Sequence, residues 1–219
     1  MNDLTLLIPA KNEKGSLPIV LDELKKYNLK ILIVLSKDDF ETIKAITNYD
    51  VEILYQNFKG YGSALKEGID QINTKYLCIF NADGSFQPKE LEEMYSKMKG
   101  YNFVFGTRYE KNCGSDDDTL LTAIGNFFFT KIGNIFFNLN VTDLLYTFVM
   151  GDTKKFKKLE LKQEDFSICA EIPINIKEKN FTCTNNKSYE RARFKGKKKV
   201  SEFKDGLKIL FYMLKKFFS

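Results

Sequence analysis

The chain contains no histidine and no tryptophan, and its 219 residues include only four cysteines. Without histidine, a histidine general base and a serine–histidine–aspartate triad are excluded, so acid–base chemistry falls to Asp, Glu, Lys or Tyr. The cysteines are Cys78, Cys113, Cys169 and Cys183, and they form no CxxC pair. This spacing argues against a zinc site and against a disulfide framework.

Long hydrophobic runs are also missing. No apolar stretch approaches the ~20 residues that a membrane-spanning helix needs, and the first apolar run, at residues 4–8, is too short for the core of a signal peptide. We therefore expect a cytoplasmic protein of one domain, since 219 residues suffice for a single sizeable core.

Short apolar runs alternate with helical segments through the first half of the chain. The predicted strands cover residues 4–8, 30–35, 51–55, 76–80 and 103–106. The predicted helices between them cover residues 16–26, 40–47 and 64–72, with Ser16 as the expected N-cap of the first. Such alternation predicts an α/β fold with a mostly parallel central sheet and helices on both faces.

The fourth strand ends abruptly at Asn81-Ala82-Asp83-Gly84-Ser85, and Pro88 then begins a helix. Ligands of open α/β sheets bind just outside the carboxyl ends of the strands. Asp83, with Gly84 allowing close backbone approach, is placed to hold a divalent cation against a diphosphate. The alternative is that Asp83 only shapes the turn between strand and helix.

The second half carries aromatic and basic segments. Residues 120–139 are rich in phenylalanine and predict a long helix or a helix pair, either meeting lipid or lying in the core, and we favour the core. Residues 207–218 predict an amphipathic helix, either at a membrane surface or docked on its own domain. Basic residues cluster at 187–199 and suit phosphate, an anionic membrane or nucleic acid, although few aromatics interleave for base stacking.

Taken in order, six motifs resemble those of family-2 glycosyltransferases with the GT-A fold, near the dolichyl-phosphate-mannose-synthase-like enzymes. They are Ile8-Pro9-Ala10-Lys11-Asn12-Glu13, Gly60-Tyr61-Gly62-Ser63-Ala64-Leu65-Lys66-Glu67-Gly68-Ile69, Asn81-Ala82-Asp83-Gly84-Ser85, Gly106-Thr107-Arg108-Tyr109, Val141-Thr142-Asp143 and the basic stretch at 190–200. The third lies where the family has its DxD metal motif, and the last resembles ExxRxxGxSK.

The resemblance implies a set of site residues. Catalytic roles fall on Asp83, Arg108 and Asp143, with Asp143 as the base if the acceptor is a hydroxyl. Donor contacts fall on Pro9, Ala10, Glu13, Ser36, Gly60, Gly62, Asn81, Ala82 and Asp83. Substrate phosphate contacts fall on Arg193 and Lys199, while Asp83, Asn81 and Ser85 would ligate Mg²⁺ or Mn²⁺.

The function that the resemblance implies is inverting transfer of a sugar from a nucleotide-diphosphate donor to an acceptor at the cytosolic membrane face. The favoured acceptor is a polyprenyl phosphate, with peripheral membrane contact and no nucleic-acid partner. A glycan hydroxyl in polysaccharide assembly is the second possibility. A non-catalytic nucleotide-sugar-binding protein is the third, because Asn81 replaces the first acid of DxD and Leu35-Ser36 replaces an acidic pair. Residues 1–110 are predicted to form the nucleotide half, 111–200 the acceptor half and 201–219 the amphipathic C-terminal helix.

Overall fold

A seven-stranded sheet forms the centre of the computed structural model, which describes residues 1–196 and 199–218. The strand order is β3-β2-β1-β4-β7-β5-β8, with β7 antiparallel to both of its neighbours and the other neighbouring strands parallel. The strands are β1 Leu4–Pro9, β2 Lys30–Leu35, β3 Glu52–Tyr55, β4 Tyr76–Ile79, β5 Phe103–Thr107, β7 Val149–Asp152 and β8 Cys183–Lys187. A small second sheet pairs β6 Gly114–Ser115 with β9 Tyr189–Glu190.

Helices cover both faces of the central sheet. They are α1 Leu17–Leu24, α2 Phe40–Ile46, α3 Tyr61–Gln71, α4 Leu91–Lys97, α5 Leu120–Phe136, α6 Thr153–Lys158, α7 Ile168–Glu178 and α8 Glu202–Phe217. One core cluster joins the sheet to α1, α2 and α4, and a second joins its other face to α3, α6 and α7. Because side chains alternate along a strand, Leu6 and Ile8 of β1 enter the first cluster while Leu7 enters the second. The continuous apolar runs are thereby explained, and the predicted α/β fold is confirmed.

The local predictions are confirmed for most elements of the first half, with shifts at their ends. β2 has the predicted bounds, and β1, β3, β4 and β5 differ by one residue at an end. Helix α3 begins at Tyr61, before the predicted start, and α1 ends at Leu24 with a 3₁₀ turn after it. Ser16 makes no side-chain cap on α1, because its hydroxyl donates to Glu13 Oε2 instead.

The expectation that residues 120–139 lie in the core is wrong for most of α5. Only Asn126, Phe129, Thr130 and Gly133 of this helix are buried, and of these Phe129 packs in a third hydrophobic cluster with residues of α7 and α8. The C-terminal helix begins at Glu202 and docks on the domain through Ile209 and Met213. Among residues 1–196 and 199–218, no helix combines the length and the apolar character that crossing a membrane requires.

Candidate functional site

Three loops meet at the edge of the sheet where the parallel strands β1, β2 and β4 end. Pairing of β1 with both β2 and β4 sets the loop after β1 between the other two. Strand β7 runs the opposite way and begins at this edge, which brings in the loop that carries Asp143. This is the crevice position that the strand order favours for a ligand.

Asp83 lies on this edge with its side chain 16% exposed. Its Oδ1 accepts a hydrogen bond from the Ser85 backbone N–H at 3.0 Å, and its Oδ2 lies 3.5 Å from Arg193 Nη1. Gly84 has a φ of +88°, and a Cβ there would lie 2.2 Å from the Phe194 ring. The carboxylate therefore faces the Arg193 guanidinium and does not point into packed hydrocarbon. Its hydrogen bond from Ser85 shapes the turn, and its role toward a divalent cation stays a prediction.

The other two predicted metal ligands, Asn81 and Ser85, differ in how accessible their side chains are. Asn81 Nδ2 donates to Ser85 Oγ at 3.2 Å, which fixes the amide beside Asp83. Ser85 itself is only 1% exposed, so its hydroxyl supports the loop from below. Within the described chain, no group of three or more acidic, cysteine or histidine side chains is arranged to hold a metal ion by itself. One carboxylate with a neighbouring amide fits Mg²⁺ or Mn²⁺ only when substrate phosphate oxygens complete the shell, which is the usual manner for Mg²⁺.

Glu13, in the loop after β1, is 7% exposed and faces a lysine. Its Oε1 lies 3.4 Å from Lys199 Nζ, and its Oε2 accepts from Ser16 Oγ. Burial raises the pKa of Glu13, while the hydrogen bond from Ser16 and the charge of Lys199 act to lower it. Pro9 ends β1, and Ala10 is buried and donates its N–H to Val34 O at 2.9 Å, so both support this loop from the sheet.

The loop after β2 folds onto the loop after β1. Asp39 Oδ2 accepts from the Asn12 backbone N–H at 2.6 Å, and Asp39 Oδ1 accepts from Thr42 N at the start of α2. Ser36 Oγ accepts from Asp38 N at 3.4 Å. A cavity of about 310 Å³ opens here, lined by Asn12, Lys14, Asp38, Asp39, Phe40 and Glu41. Asp38 and Asp39 thus lie a few residues after the missing acidic pair, and Asp39 holds the loop that carries Glu13 through the Asn12 backbone.

Gly60 and Gly62 serve close packing at the start of α3. A Cβ on Gly60, whose φ is +128°, would lie 2.1 Å from Glu164 O, and one on Gly62 would lie 2.4 Å from Gln163 O. Between them, Tyr61 stacks on Phe166 with ring centroids 4.8 Å apart. The close approach of residues 163–165 therefore accounts for glycine at both positions, and the donor contact expected of them stays a prediction.

Arg108, at the end of β5, is enclosed by carboxylates. Its Nε and Nη2 donate to Asp143 at 2.7 and 3.0 Å, and its Nη1 donates to Glu190 at 2.8 Å and to Asp118 at 3.2 Å. The Tyr146 ring lies 4.5 Å from the guanidinium carbon. Burial acts to lower the pKa of Arg108, but the three carboxylates raise it well above its usual value. The Arg108 side chain is 7% exposed and holds this cluster of carboxylates together, so its guanidinium N–H groups are not free to bind a phosphate.

Asp143 has no exposed side-chain surface. Besides Arg108, it accepts a hydrogen bond from Asn126 Nδ2 of α5 at 2.8 Å. A general base must reach the proton that it removes, and in this arrangement both carboxylate oxygens are already engaged. The structure therefore favours a positioning role for Asp143 over the predicted role of base.

A basic segment, residues 191–196, lies across the loop of Asp83. Phe194 N donates to Asp83 O at 2.8 Å, and Arg191 donates to Gly84 O at 3.0 Å while pairing with Glu23 of α1. Arg193 forms a bidentate pair with Asp117, with Nη2 to Oδ2 at 2.6 Å. The last residue of the predicted phosphate pair, Lys199, faces Glu13, whereas the predicted basic residues Lys197 and Lys198 lie outside the described residues.

Sequence reasoning missed several partners in this site. Asp118 and Glu190 pair with Arg108, and Asp117 pairs with Arg193. Arg191 anchors the basic segment by its ion pair with Glu23. The one available signal was the acidic run Asp116-Asp117-Asp118 directly before an apolar helix. That run predicts a helix start, but nothing local connects it to arginines far along the chain.

The strand order and the edge geometry define a GT-A fold of the kind used by sugar-nucleotide transferases. The chain belongs to glycosyl transferase family 2, whose family model matches residues 5–160. An uncharacterized protein of Methanocaldococcus jannaschii is 25% identical over 185 residues, which cover 80% of this chain and 76% of that protein. The dolichol-phosphate mannosyltransferase of Saccharomyces cerevisiae is 26% identical over 129 residues, covering 53% of this chain and about half, 48%, of the yeast enzyme.

Solved structures agree on the fold. Glucosyl-3-phosphoglycerate synthase from Mycobacterium tuberculosis, in complex with Mn²⁺, UDP and glucosyl-3-phosphoglycerate, superposes with a TM-score of 0.75 at 10% identity, over 98% of this chain and 79% of that one. Mannosyl-3-phosphoglycerate synthase from Rubrobacter xylanophilus gives a TM-score of 0.73 at 15% identity, over 98% and 72%. At these identities the likeness establishes the GT-A architecture.

Proposed function

We propose that this glycosyltransferase moves a sugar, with inversion, from a nucleotide-diphosphate donor to a polyprenyl phosphate at the cytoplasmic face of the membrane. The carrying observation is the pairing of Asp83 with Arg193 at the sheet edge while Asp143 is sealed in the Arg108 cluster. A phosphate acceptor is already an anionic nucleophile and needs no general base. A hydroxyl acceptor would need one, and the predicted base is enclosed.

In this proposal the donor lies along the sheet edge. Glu13 and the cavity beside Asp39 receive the nucleoside, with Glu13 accepting from ribose hydroxyls or the base. Asp83, with the Asn81 amide, would hold Mg²⁺ or Mn²⁺ at the diphosphate. The cation supplies charge neutralisation for the departing nucleotide diphosphate. The M. tuberculosis synthase, solved with Mn²⁺ and UDP, supports this assignment by analogy of fold.

Arg193 and Lys199 are the residues proposed to address phosphate oxygens. Both have partly exposed side chains, 18% and 34%, and both face donor-site carboxylates in this structure. An incoming diphosphate can replace the contacts with Asp83 and Glu13. Arg193 would then donate through Nη1 while its Nε and Nη2 stay paired with Asp117, and Lys199 would act as a point charge. Positioning and charge neutralisation then carry the reaction.

The yeast relative named dolichol-phosphate mannosyltransferase supports a lipid phosphate as acceptor. The product would be a lipid-linked monosaccharide of the kind suited to assembly of cell-envelope polysaccharide.

The test is product identification by mass spectrometry. The full chain is incubated with a panel of nucleotide-diphosphate sugars and Mn²⁺, and offered undecaprenyl phosphate, 3-phosphoglycerate or a glycan in separate reactions. We expect a hexosyl phosphate of the lipid, with the rate at least about a hundredfold lower in Asp83→Asn, a loss of the size seen when a key electrostatic group is removed. Transfer only to 3-phosphoglycerate or to the glycan would overturn the acceptor, and donor binding without any transfer would favour the non-catalytic alternative.

A further inference from the structure

Helices α5 and α8 expose an unusual amount of apolar surface. Of the 21 large hydrophobic residues that are exposed in the described chain, 13 lie on α5, on α8 or at Phe218 directly after it. Phe127 is 64% exposed, Phe203 77% and Phe211 75%. We call the outward surface of this pair the α5–α8 face. Isolated exposed apolar residues are ordinary, but a concentration of this kind marks an interaction site.

The two helices lie side by side and run in the same direction. Thr119, the N-cap of α5, donates to Glu202 at the start of α8 at 3.2 Å, and the Phe136 and Phe217 rings near the two C-terminal ends have centroids 5.2 Å apart. Seventeen and sixteen residues of helix extend about 25 Å. Two helix diameters then give an outward face of roughly 500 Å² in total area, which is large enough to hold an apolar patch of the size that marks interaction sites.

Each helix uses a different side to hold itself on the domain. Phe129 of α5 and Ile209 and Met213 of α8 are buried with Leu144 and Ile174. The outward residues Phe203, Leu207, Phe211 and Leu214 are therefore not needed for docking the helix. An apolar stripe on the solvent side of a helix that is already docked is not explained by packing within the domain and marks a surface for a partner outside it.

The charges around this face favour an anionic lipid surface over a second copy of the chain. Lys131, Lys204 and Lys215 are exposed, and no carboxylate pairs with them among the described residues. Helix α5 carries no acidic residue at all. In a symmetric dimer these lysines would meet one another, whereas anionic headgroups would neutralise them.

Both helices begin beside the candidate site. Asp117, paired with Arg193, and Asp118, paired with Arg108, directly precede the N-cap of α5. Lys199, which faces Glu13, lies two positions before Ser201, the N-cap of α8. A bilayer against the α5–α8 face would thus lie next to the groups proposed to receive a phosphate.

We propose that the α5–α8 face docks on an anionic membrane and brings the phosphate of a lipid acceptor to Arg193. The docking stands on the exposed face itself, and only the delivery of the acceptor rests on the proposed function. The outer stripe of α8 and the whole outer surface of α5 then enter the headgroup region, with the lysines at the headgroup phosphates.

The first experiment is flotation of the full chain with vesicles of neutral phosphatidylcholine or of phosphatidylcholine with phosphatidylglycerol. Phe211→Ser should lower partitioning about tenfold or more, the loss expected for one buried phenylalanine. Phe40→Ser is the matched control, since Phe40 is 72% exposed on α2, away from this face. Replacing Lys131, Lys204 and Lys215 by Gln should weaken binding to the anionic vesicles by about fivefold for each lysine and leave neutral vesicles unaffected.

Circular dichroism melts verify that each variant is folded. Equal flotation of wild type and Phe211→Ser, or no binding of the wild type to anionic vesicles, would overturn the proposal. So would light scattering that shows a dimer which Phe211→Ser dissociates while flotation is unchanged, because the face would then be a self-interface.

A second experiment separates docking from catalysis. Transfer to a short, water-soluble polyprenyl phosphate should proceed equally in wild type and Phe211→Ser, while transfer to undecaprenyl phosphate in vesicles should fall in the variant. Normal flotation with no transfer to either acceptor supports docking and refutes the proposed function. Transfer to the soluble acceptor without flotation refutes docking alone.

Discussion

The buried guanidinium of Arg108 engages the carboxylates around it and so limits their other roles. Arg108 is held by Asp143, Glu190 and Asp118, with Asp143 contributing two of the contacts. Removing one member of a buried ion pair leaves the other charge uncompensated, which is far more costly than the net value of the pair. We therefore expect the main contribution of Asp143 to be to the stability of the fold.

Asp143→Ala should lower the free energy of unfolding by about 3–5 kcal/mol. Urea unfolding measures it, and Asp118→Ala is the comparison, since Asp118 makes a single longer contact with Arg108. We expect Asp118→Ala to cost clearly less. A role as base predicts the opposite pattern, in which Asp143→Ala folds with near-normal stability and loses only kcat.

Glu90 provides a pH signature. It is buried and accepts from Ser188 Oγ and from Tyr189 N at 3.0 Å, and burial raises the pKa of Glu90 above 4.5 despite these hydrogen bonds. The folded state thus holds this proton more tightly than the unfolded state. The stability that Glu90 contributes is complete below pH 4.5 and is lost as the pH rises through the raised pKa.

Glu90→Gln removes this titration. The stability of wild type relative to Glu90→Gln should therefore decline as the pH rises above the ordinary carboxyl value and through the raised pKa of Glu90. Chemical unfolding at a series of pH values measures the difference. Parallel stability curves for the two proteins would contradict the assignment.

At the scale of elements, the basic segment is fitted to the loop of Asp83. Gly84 combines a left-handed φ of +88° with the Phe194 ring directly where a Cβ would lie. Gly84→Ala should cost about 1–3 kcal/mol from backbone strain alone, and more from the clash. Phe194→Ala removes the ring, so Gly84→Ala should cost less in that background. Thermal unfolding of the four proteins of this cycle measures the coupling.

Gly100→Ala is the control for this cycle. Nothing lies within 4 Å of a Cβ at Gly100, and we expect that change to be neutral or slightly stabilising. If the losses of stability from Gly84→Ala and Phe194→Ala are additive, the Phe194 ring does not restrict the loop at Gly84.

The sequence predicted elements well where the signal was local. Strand β2 is a continuous apolar run after Lys30, and its bounds came out as predicted. The position of Asp83 at the sheet edge could be predicted because its loop directly follows β4. Strand β7 was missed, since its place between β4 and β5 depends on antiparallel pairing with residues far away in the chain. The pair of Arg193 with Asp117 was missed for the same reason. For α5, the composition indicated that its phenylalanines make apolar contacts, but it did not indicate whether those contacts are with the protein core or with lipid.

For the whole molecule, α8 belongs to the packed domain. Removing residues 201–219 would strip Ile209 and Met213 from the third cluster and should cost about 3–6 kcal/mol, taking about 1.5–3 kcal/mol for each buried side chain. Differential scanning calorimetry measures this loss. Deletion is therefore a poor test of membrane contact, and unchanged stability after truncation would mean that α8 is not docked in solution. The division into residues 1–110, 111–200 and 201–219 stays a prediction.

The parallel alignment of α5 and α8 has a consequence for geometry at a bilayer. A single amphipathic helix that lies in a headgroup layer can rotate about its own axis. Two helices that are packed side by side, as α5 and α8 are, cannot rotate independently. If both helices rest on lipid, the candidate site around Arg193 keeps a constant height and tilt over the leaflet. Turnover would then depend on the headgroup end of the acceptor and hardly at all on how many isoprene units trail into the hydrocarbon.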